Sequence, residues 1–140
     1  MLIEASRRIE SCVREVDTLA RLGGDEFTVL ISELDDISCI ERIVQNILSQ
    51  LAKPFYLSDE VALISGSIGI TFYPRDAQDV DELLNNADQA MYVAKHQGRN
   101  QFSYFTPALQ ELVQKRLKLI NDLRGALADE QLHVYFQAIV

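Results

Sequence analysis

Residues 17–31 read DTLARLGGDEFTVLI, which is two short β-rich runs on either side of Gly23-Gly24-Asp25-Glu26. Glycine reaches positive φ without a Cβ clash, so a glycine pair between such runs predicts a β-hairpin. We therefore expect strands over 17–22 and 27–31. The turn between them is also a candidate site, because adjacent carboxylates are oxygen ligands that suit Mg²⁺ shared with substrate phosphates. A solvated turn without any ligand has the same composition and is the simpler interpretation.

Helical periodicity flanks this hairpin on both sides, with apolar residues at three- and four-residue steps. Ser38 and Glu41 have the spacing of a capping box at the start of one helix. Gly98 follows another helix as the usual left-handed C-terminal residue. The last predicted helix contains no turn residues and reads as a stiff connector. The predicted helices cover residues 2–16, 37–52, 79–97 and 107–128.

The stretch 55–73 is β-rich, and its second half alternates bulky and small residues at a period of two. The small face, which includes Gly69, is typical of a strand that a ligand or another backbone approaches closely. Tight packing of a helix on the sheet explains the small face equally well. Further strands are predicted over 101–105 and from residue 133 onward. The order of elements predicts an α+β fold, an α/β sandwich in which helices flank a single mixed or antiparallel sheet.

The composition excludes several classes of protein. The chain has 140 residues, of which 48% are apolar and 24% charged, so it is not a disordered chain. Its net charge of −8 counts against a surface that binds nucleic acid through clustered cations. No apolar run approaches the roughly 20 residues of a membrane span, and no signal peptide precedes the first helix, so we expect a cytoplasmic chain with no membrane segment. Cys12 and Cys39 lie on apolar helical stripes and are expected to be buried thiols.

Two further groups of charged residues are candidate sites. Lys95 and Arg99 lie at the C-terminal end of one helical stripe, where two cations can hold a phosphate chain. They can equally serve only to complement the helix dipole. Arg14 and Asp17 lie at a predicted helix–strand junction, where such a pair is usually a surface ion pair of small energy.

The segment 20–27, ARLGGDEF, resembles the signature of the GGDEF family, the diguanylate cyclases. Segments at 67–70, 87–92 and 94–100 resemble the family's other signatures, in order and at matching spacing. The resemblance covers residues 2–105 and implies a palm-like sheet flanked by helices. It also implies a homodimer of GTP-loaded GGDEF protomers that face one another. Each GTP 3′-hydroxyl then attacks the α-phosphate of the other GTP, which forms cyclic di-GMP and pyrophosphate with Mg²⁺ or Mn²⁺ as cofactor.

The resemblance also implies a role for each candidate residue. Asp25 matches the signature acid that binds the metal and helps to activate the hydroxyl, and Glu26 matches its partner in the metal site. Gly23 and Gly24 match the glycines over which the nucleotide lies. The remaining matched residues bind phosphates or product: Lys95 and Arg99 the terminal phosphates, Arg14 and Asp17 the inhibitory cyclic di-GMP.

The resemblance finally predicts how the chain is organised. Residues 1–105 correspond to a GGDEF domain truncated at its N-terminus, which lacks its first strand and helix. Residues 106–130 correspond to a connector helix and 131–140 to the start of an EAL phosphodiesterase domain in cis. Because the family's first strand carries another metal-binding aspartate, we expect no cyclic di-GMP synthesis from this chain alone. Two alternatives stay open: a non-catalytic module that senses GTP or cyclic di-GMP for an EAL domain, and an assembly unit with exposed sheet edges.

Overall fold

The computed structural model describes residues 1–34, 36–57 and 60–128, together with Gln131 and Tyr135. The chain divides into two compact units, Met1–Phe105 and Thr106–Val140. Helices and small open sheets are mixed in the first unit, which confirms the predicted α+β class. The first unit contains α1 Leu2–Glu10, β1 Thr18–Gly23, β2 Glu26–Leu30, α2 Ser38–Leu51, β3 Phe55–Leu57, β4 Glu60–Ala62, β5 Ser67–Ile70, α3 Val80–His96 and β6 Gln101–Tyr104, and the second contains α4 Pro107–Ala128.

The prediction of a single sheet is wrong for the described residues. Their strands form three separate pairs: β1 with β2 and β3 with β4 are antiparallel, whereas β5 with β6 is parallel. The β-rich stretch 55–73, expected to break around the polar residues 58–60, forms β3, β4 and β5, and residues 63–66 also leave strand geometry. A Cβ built on Gly66 lies 3.2 Å from Leu51 Cδ1, so the backbone passes close over α2 instead of pairing with another strand there.

Helix α1 ends six residues earlier than the sequence pattern predicts, at Glu10 rather than Val16. The chain turns instead at Arg14, whose carbonyl accepts a hydrogen bond of 3.0 Å from the amide of Asp17. Cys12 therefore lies beyond the helix, where it packs against the core and is half-buried, as is Cys39. Cys39 lies on helix α2 as predicted, but both thiols are only half-buried, so the expectation that they are buried is wrong.

Two clusters of buried side chains hold the first unit together, and α2 contributes to both. One cluster joins α1 to α2 and contains Phe55, which is completely buried. The other joins α2 to β5. The first consists of Ala5, Ile9, Ile47, Leu51 and Phe55, and the second of Ile40, Val44, Leu48 and Ile70.

Arg8 ties α1 to the end of α2. Its Nη1 donates to the carbonyls of Gln50 and Lys53 at 3.0 and 2.8 Å, and its Nη2 donates to the carbonyl of Pro54 at 2.9 Å. The guanidinium also lies 3.8 Å from the ring centroid of Phe55. Since the last carbonyls of a helix have no partner within it, Arg8 supplies donors that the C-terminus of α2 and the following turn need.

The start of α2 differs from the sequence prediction. Ser38 forms no capping box, because its hydroxyl donates to Asp36 Oδ2 at 2.6 Å and the N-cap is Ile37.

The end of α3 has the predicted glycine. Gly98 follows the C-cap with a φ of 125°, and the amide of Arg99 donates to the carbonyl of Ala94 at 3.2 Å. Arg99 (φ 61°) and Asn100 (φ 49°) also have positive φ. Helix α3 begins at Val80, one residue after its predicted start, and Asp79 is its N-cap, since Asp79 Oδ1 accepts from the amide of Glu82 at 2.8 Å.

The second unit carries the helix predicted over 107–128, as α4 Pro107–Ala128. The strand predicted from residue 133, assigned by resemblance to an EAL domain, lies outside the described residues except for Tyr135. None of the described helices combines the length and the apolar composition that crossing a bilayer requires.

Candidate active site and product site

The candidate catalytic turn is shorter than predicted. Glu26 pairs directly with Gly23, so the turn consists of Gly24 and Asp25 alone, and a register shift lies between Arg21 and Gly23. Gly24 has a φ of 51°, the left-handed conformation that the glycine pair predicts. The hairpin therefore presents Asp25 and Glu26 at its tip, where both residues are exposed.

Arg21 holds this turn in place through two hydrogen bonds, a contact that the sequence did not predict. Its Nε and Nη2 both donate to the carbonyl oxygen of Gly24, at 3.0 and 2.6 Å. This bidentate contact holds the first residue of the turn in one orientation. The signal available in the sequence was a cation two residues before the glycine pair, on the strand that leads into the turn.

Gly23 and Gly24 leave open space above the hairpin. A Cβ built on either glycine meets no atom within 4 Å, so the packing of the chain itself does not require glycine there. At Gly24 the positive φ gives a backbone reason for glycine, whereas Gly23 has no such constraint. The bare backbone at Gly23 is thus a flat, accessible surface beside two carboxylates.

The carboxylates of Asp25 and Glu26 are the donor type that Mg²⁺ and Mn²⁺ prefer. Within the described part of the chain, no group of three or more Asp, Glu, His or Cys residues could hold a metal ion. The two residues therefore fit a cation that takes its remaining ligands from water and substrate phosphates, which is the usual way in which Mg²⁺ is held.

Lys95 and Arg99 lie together at the C-terminal end of α3, and both are exposed. The left-handed backbone at Arg99, a conformation that is uncommon for a residue with a Cβ, sets the direction in which its side chain leaves the helix end. Among the residues that the structure describes, neither cation forms a hydrogen bond or ion pair with Asp25 or Glu26. Asp25 and Glu26 are thus adjacent at the hairpin tip, whereas Lys95 lies in the last turn of α3 and Arg99 lies three residues beyond its end.

Arg14 and Asp17 form a closed pair at the end of the turn that precedes β1. Asp17 Oδ2 accepts from the Arg14 amide at 2.8 Å, and Asp17 Oδ1 accepts from Arg14 Nη2 at 3.1 Å. Asp17 Oδ1 also accepts from the amide of Ser32 at 3.3 Å, and Arg14 Nη2 donates to the Ser32 carbonyl. The pair therefore joins the segment before β1 to the segment after β2.

The two side chains of this pair differ in their exposure to solvent. The Asp17 side chain is fully covered, whereas that of Arg14 is 49% exposed. The hydrogen bonds from the Arg14 side chain hold the pKa of the Asp17 carboxyl below its usual value, against the opposing effect of burial. Asp17 thus stays ionised and fixes the Arg14 guanidinium beside it.

A pocket of about 480 Å³ opens beside Arg14. Arg42, an exposed residue of α2, adds a second guanidinium to its lining, and sequence reasoning did not identify it. The other lining residues are apolar or small apart from Glu33 and Asn46: Cys12, Ile31, Leu34, Cys39 and Ile43. The lining thus combines two guanidinium groups, one of them paired with Asp17, with an apolar wall and the carboxylate of Glu33.

Comparisons with known proteins show the family of this chain. Residues 1–101 match the family described as "Diguanylate cyclase, GGDEF domain". The bifunctional diguanylate cyclase/cyclic di-GMP phosphodiesterase MucR of Pseudomonas aeruginosa is 42% identical over 98% of the chain. The cyclic di-GMP phosphodiesterase PdeR of Escherichia coli is 39% identical over 98% of the chain. The chain spans only 20% and 21% of the lengths of these two relatives.

Solved structures give the same result. The crystal structure of the GGDEF domain of TpbB (also YfiN) from Pseudomonas aeruginosa has a TM-score of 0.72 and 40% identity, and covers 75% of this chain and 66% of that chain. An EAL/GGDEF domain protein from M. capsulatus has a TM-score of 0.68 and 39% identity, and covers 76% of this chain and 68% of that chain. By sequence and by fold, the chain belongs to the GGDEF family of diguanylate cyclase domains.

Proposed function

We propose that this domain, as part of a longer cytoplasmic protein, condenses two GTP molecules to cyclic di-GMP and pyrophosphate. The observation that carries the proposal is the accessible backbone of Gly23 directly beside the exposed carboxylates of Asp25 and Glu26. The 3′-hydroxyl oxygen of one GTP forms a bond to the α-phosphorus of the other, and the bond to pyrophosphate breaks. A second protomer performs the reciprocal step to close the ring.

In this proposal each candidate site residue has a separate role. Asp25 accepts the proton of the attacking hydroxyl, and with Glu26 it holds Mg²⁺ or Mn²⁺. Asp25 and Glu26 would hold the cation, which would supply positive charge that balances the charge of the transferring phosphoryl group. The nucleotide lies over Gly23 and Gly24, and Lys95 and Arg99 neutralise its terminal phosphates.

The Gly23→Ala variant separates the ligand-binding role of this glycine from its role in folding. The added methyl group meets no protein atom within 4 Å, so we expect the melting temperature to stay within about 2 °C of the wild type. If the nucleotide lies on this backbone, GTP affinity in the presence of Mg²⁺ should fall at least about tenfold, because the methyl group occupies the contact surface. Isothermal titration calorimetry measures the affinity.

The matched control is Gly125→Ala, which likewise adds a methyl group in open space, but on α4. We expect no change in its GTP affinity. Equal GTP binding by the wild type and the Gly23→Ala variant would contradict the proposed nucleotide position, and so would the absence of GTP binding by the wild-type chain.

A second candidate function is favoured by the pocket beside Arg14. In this interpretation the domain senses cyclic di-GMP or GTP without turnover and regulates an EAL domain in cis. The same pocket serves as an inhibitory product site if the domain is a cyclase. Turnover of GTP by the longer protein distinguishes the two functions, since only a cyclase releases pyrophosphate.

The Arg14→Ala variant tests the product site that both interpretations share. We expect cyclic di-GMP affinity to fall at least about thirtyfold, since one charge-assisted contact contributes about 2 kcal/mol. Because Arg14 also bonds Ser32 and Asp17, circular dichroism must show that the variant is folded. Arg42→Gln, which removes an exposed cation of the same pocket, provides a second measurement. Arg124→Ala on α4 is the control, and unchanged affinity in both pocket variants would exclude the site.

A further inference from the structure

Helix α4 carries a stripe of exposed leucines along one side. Leu112, Leu119 and Leu123 are 55%, 57% and 50% exposed. Successive residues of an α-helix are about 100° apart around its axis, so these three leucines lie within about 40° of one another. Val113, a buried residue of α4, lies about 100° away from Leu112 on another side of the helix. The leucine stripe is therefore an apolar surface that faces solvent.

The stripe has the spacing of one side of a two-stranded coiled coil. Its residues follow one another at alternating steps of three and four, which are the a and d positions of a heptad repeat. These seam positions are Leu109, Leu112, Arg116, Leu119, Leu123 and Ala126. Lys115 and Asp122 both occupy the g position beside the seam. A seam of this kind fits a partner helix that has the same pattern.

Arg116 determines how a second copy of α4 can be oriented. In a parallel pair in register, residues of equal number lie opposite one another, so Arg116 meets Arg116 of the second copy. In an antiparallel pair an a position lies opposite a d position, so the aliphatic stem of Arg116 packs on Leu119 of the second copy. The antiparallel orientation therefore avoids a direct contact between like charges in the seam.

The charges at the g positions select one antiparallel register. When Leu112 lies opposite Leu123 of the second copy, Lys115 lies beside Asp122 of the second copy, and the twofold axis repeats this contact. A shift by one heptad in one direction places Lys115 beside Lys115, and a shift in the other direction places Asp122 beside Asp122. Like charges at facing positions repel, so the sequence of α4 favours the first register.

The ion pair that Lys115 forms within α4 does not prevent this contact. Lys115 Nζ lies 3.8 Å from Glu111 Oε2, and the two side chains are 81% and 76% exposed. A pair this exposed contributes little, so Lys115 can exchange it for another partner. Within the described part of the chain Asp122 forms no ion pair. Both residues are thus available to a second copy.

We propose that α4 pairs with α4 of a second copy of this chain in the antiparallel orientation, with Leu112 opposite Leu123 and Lys115 beside Asp122. The leucine stripes of the two copies are buried against each other, which drives the association. The contact uses neither the hairpin nor the end of α3, so it does not depend on GTP or on the proposed reaction. An interface confined to one pair of helices is small, so the association is reversible.

Sedimentation equilibrium of the purified chain without nucleotide tests this pairing at concentrations from about 5 to about 300 µM. We expect a monomer–dimer equilibrium. Leu119→Gln should weaken it at least about tenfold, because the substitution removes an apolar residue from the middle of the seam but keeps a good helix former. The matched control is Ile3→Gln on α1, where Ile3 is 72% exposed, and it should leave the equilibrium unchanged.

Exchange of the two charges tests the register. At about 0.05 M salt, Lys115→Glu and Asp122→Lys should each weaken the dimer at least about threefold, because each places like charges beside one another. The double variant restores opposite charges and should recover the wild-type affinity to within about twofold. Lys118→Glu makes the same change in net charge as Lys115→Glu but lies outside the seam, so it should have no effect. Circular dichroism checks that each variant keeps its helical content.

Three results would overturn the proposal. The first is a chain that stays monomeric over the whole concentration range. The second is a dimer that Leu119→Gln leaves unchanged, since the copies would then associate through another surface. The third is a double charge variant that remains as weak as the single ones, because the antiparallel register would then be wrong.

Discussion

We expect the Gly69→Ala variant to lose more than about 4 kcal/mol of unfolding free energy, enough to leave much of the chain unfolded. Strand β5 packs against α3 at this glycine. A Cβ built there lies 1.8 Å from the carbonyl oxygen of Ala87 and 2.5 Å from the amide nitrogen of Met91. Both are backbone atoms of α3, so no change of side-chain rotamer relieves the clash, and the helix must move away from the strand.

Urea unfolding followed by circular dichroism measures this effect, and two other glycines provide controls. At Gly66 the added methyl group lies 3.2 and 3.3 Å from the ends of the flexible Leu51 and Leu48 side chains, so we expect a loss of only about 1 kcal/mol. At Gly125, inside α4, it meets nothing, and alanine should stabilise the helix by about 0.5–1 kcal/mol. A Gly69→Ala variant as stable as Gly66→Ala would show that α3 does not lie this close to β5.

The Arg8→Ala variant should lose about 2–4 kcal/mol of unfolding free energy, the second largest effect that we predict. The substitution removes the donors for the carbonyls of Gln50, Lys53 and Pro54 and the guanidinium that covers Phe55. The ion pair with Glu4 adds little to this value, because the Glu4 side chain is 48% exposed and solvent screens the pair. Most of the loss comes from the hydrogen bonds to Lys53 and Pro54 and from the packing on Phe55, because the Gln50 carbonyl still accepts from the Lys53 amide at 3.3 Å.

The neighbouring Arg7 is the matched control for this prediction. It lies on the same helix and is exposed, so Arg7→Ala should change the unfolding free energy by less than about 0.5 kcal/mol. Arg8→Lys keeps the charge, but a single ammonium group cannot reproduce the planar set of donors, so it should recover only part of the loss. Equal stabilities for Arg7→Ala and Arg8→Ala would indicate that the Arg8 contacts do not contribute.

The sequence predicted those features of the fold that depend on local periodicity. The hairpin at Gly23-Gly24 and the helices predicted over 79–97 and 107–128 are such features. The small face of the strand around Gly69 was predicted as well, and of its two explanations tight packing against a helix is the one that the structure supports. Site residues clustered in one turn, such as Asp25 and Glu26, could also be recognised, because their proximity follows from adjacency.

Features that depend on distant partners could not be predicted in this way. Arg8 reaches carbonyls more than 40 residues away, and no local pattern indicates that contact. Likewise, Arg42 and Arg14 line the same pocket only because α2 packs next to the segment before β1. The predicted capping box does not form, because the Ser38 hydroxyl donates a hydrogen bond to the nearby carboxylate of Asp36. Whether Arg14 and Asp17 bind product stays a prediction, since an ion pair of this geometry also has a structural use.

Helix α2 determines how the strand pairs of the first unit unfold with respect to one another. Among the described residues, the three strand pairs share no ladder of backbone hydrogen bonds, so hydrogen bonding alone would allow them to separate one at a time. The apolar residues of α2, however, belong to both buried clusters, and Ile68 of β5 packs against both. Cooperativity between the hairpin and the β5–β6 pair is thus transmitted through side-chain packing on one helix. A cavity introduced in either cluster lowers the free energy of local opening in the other.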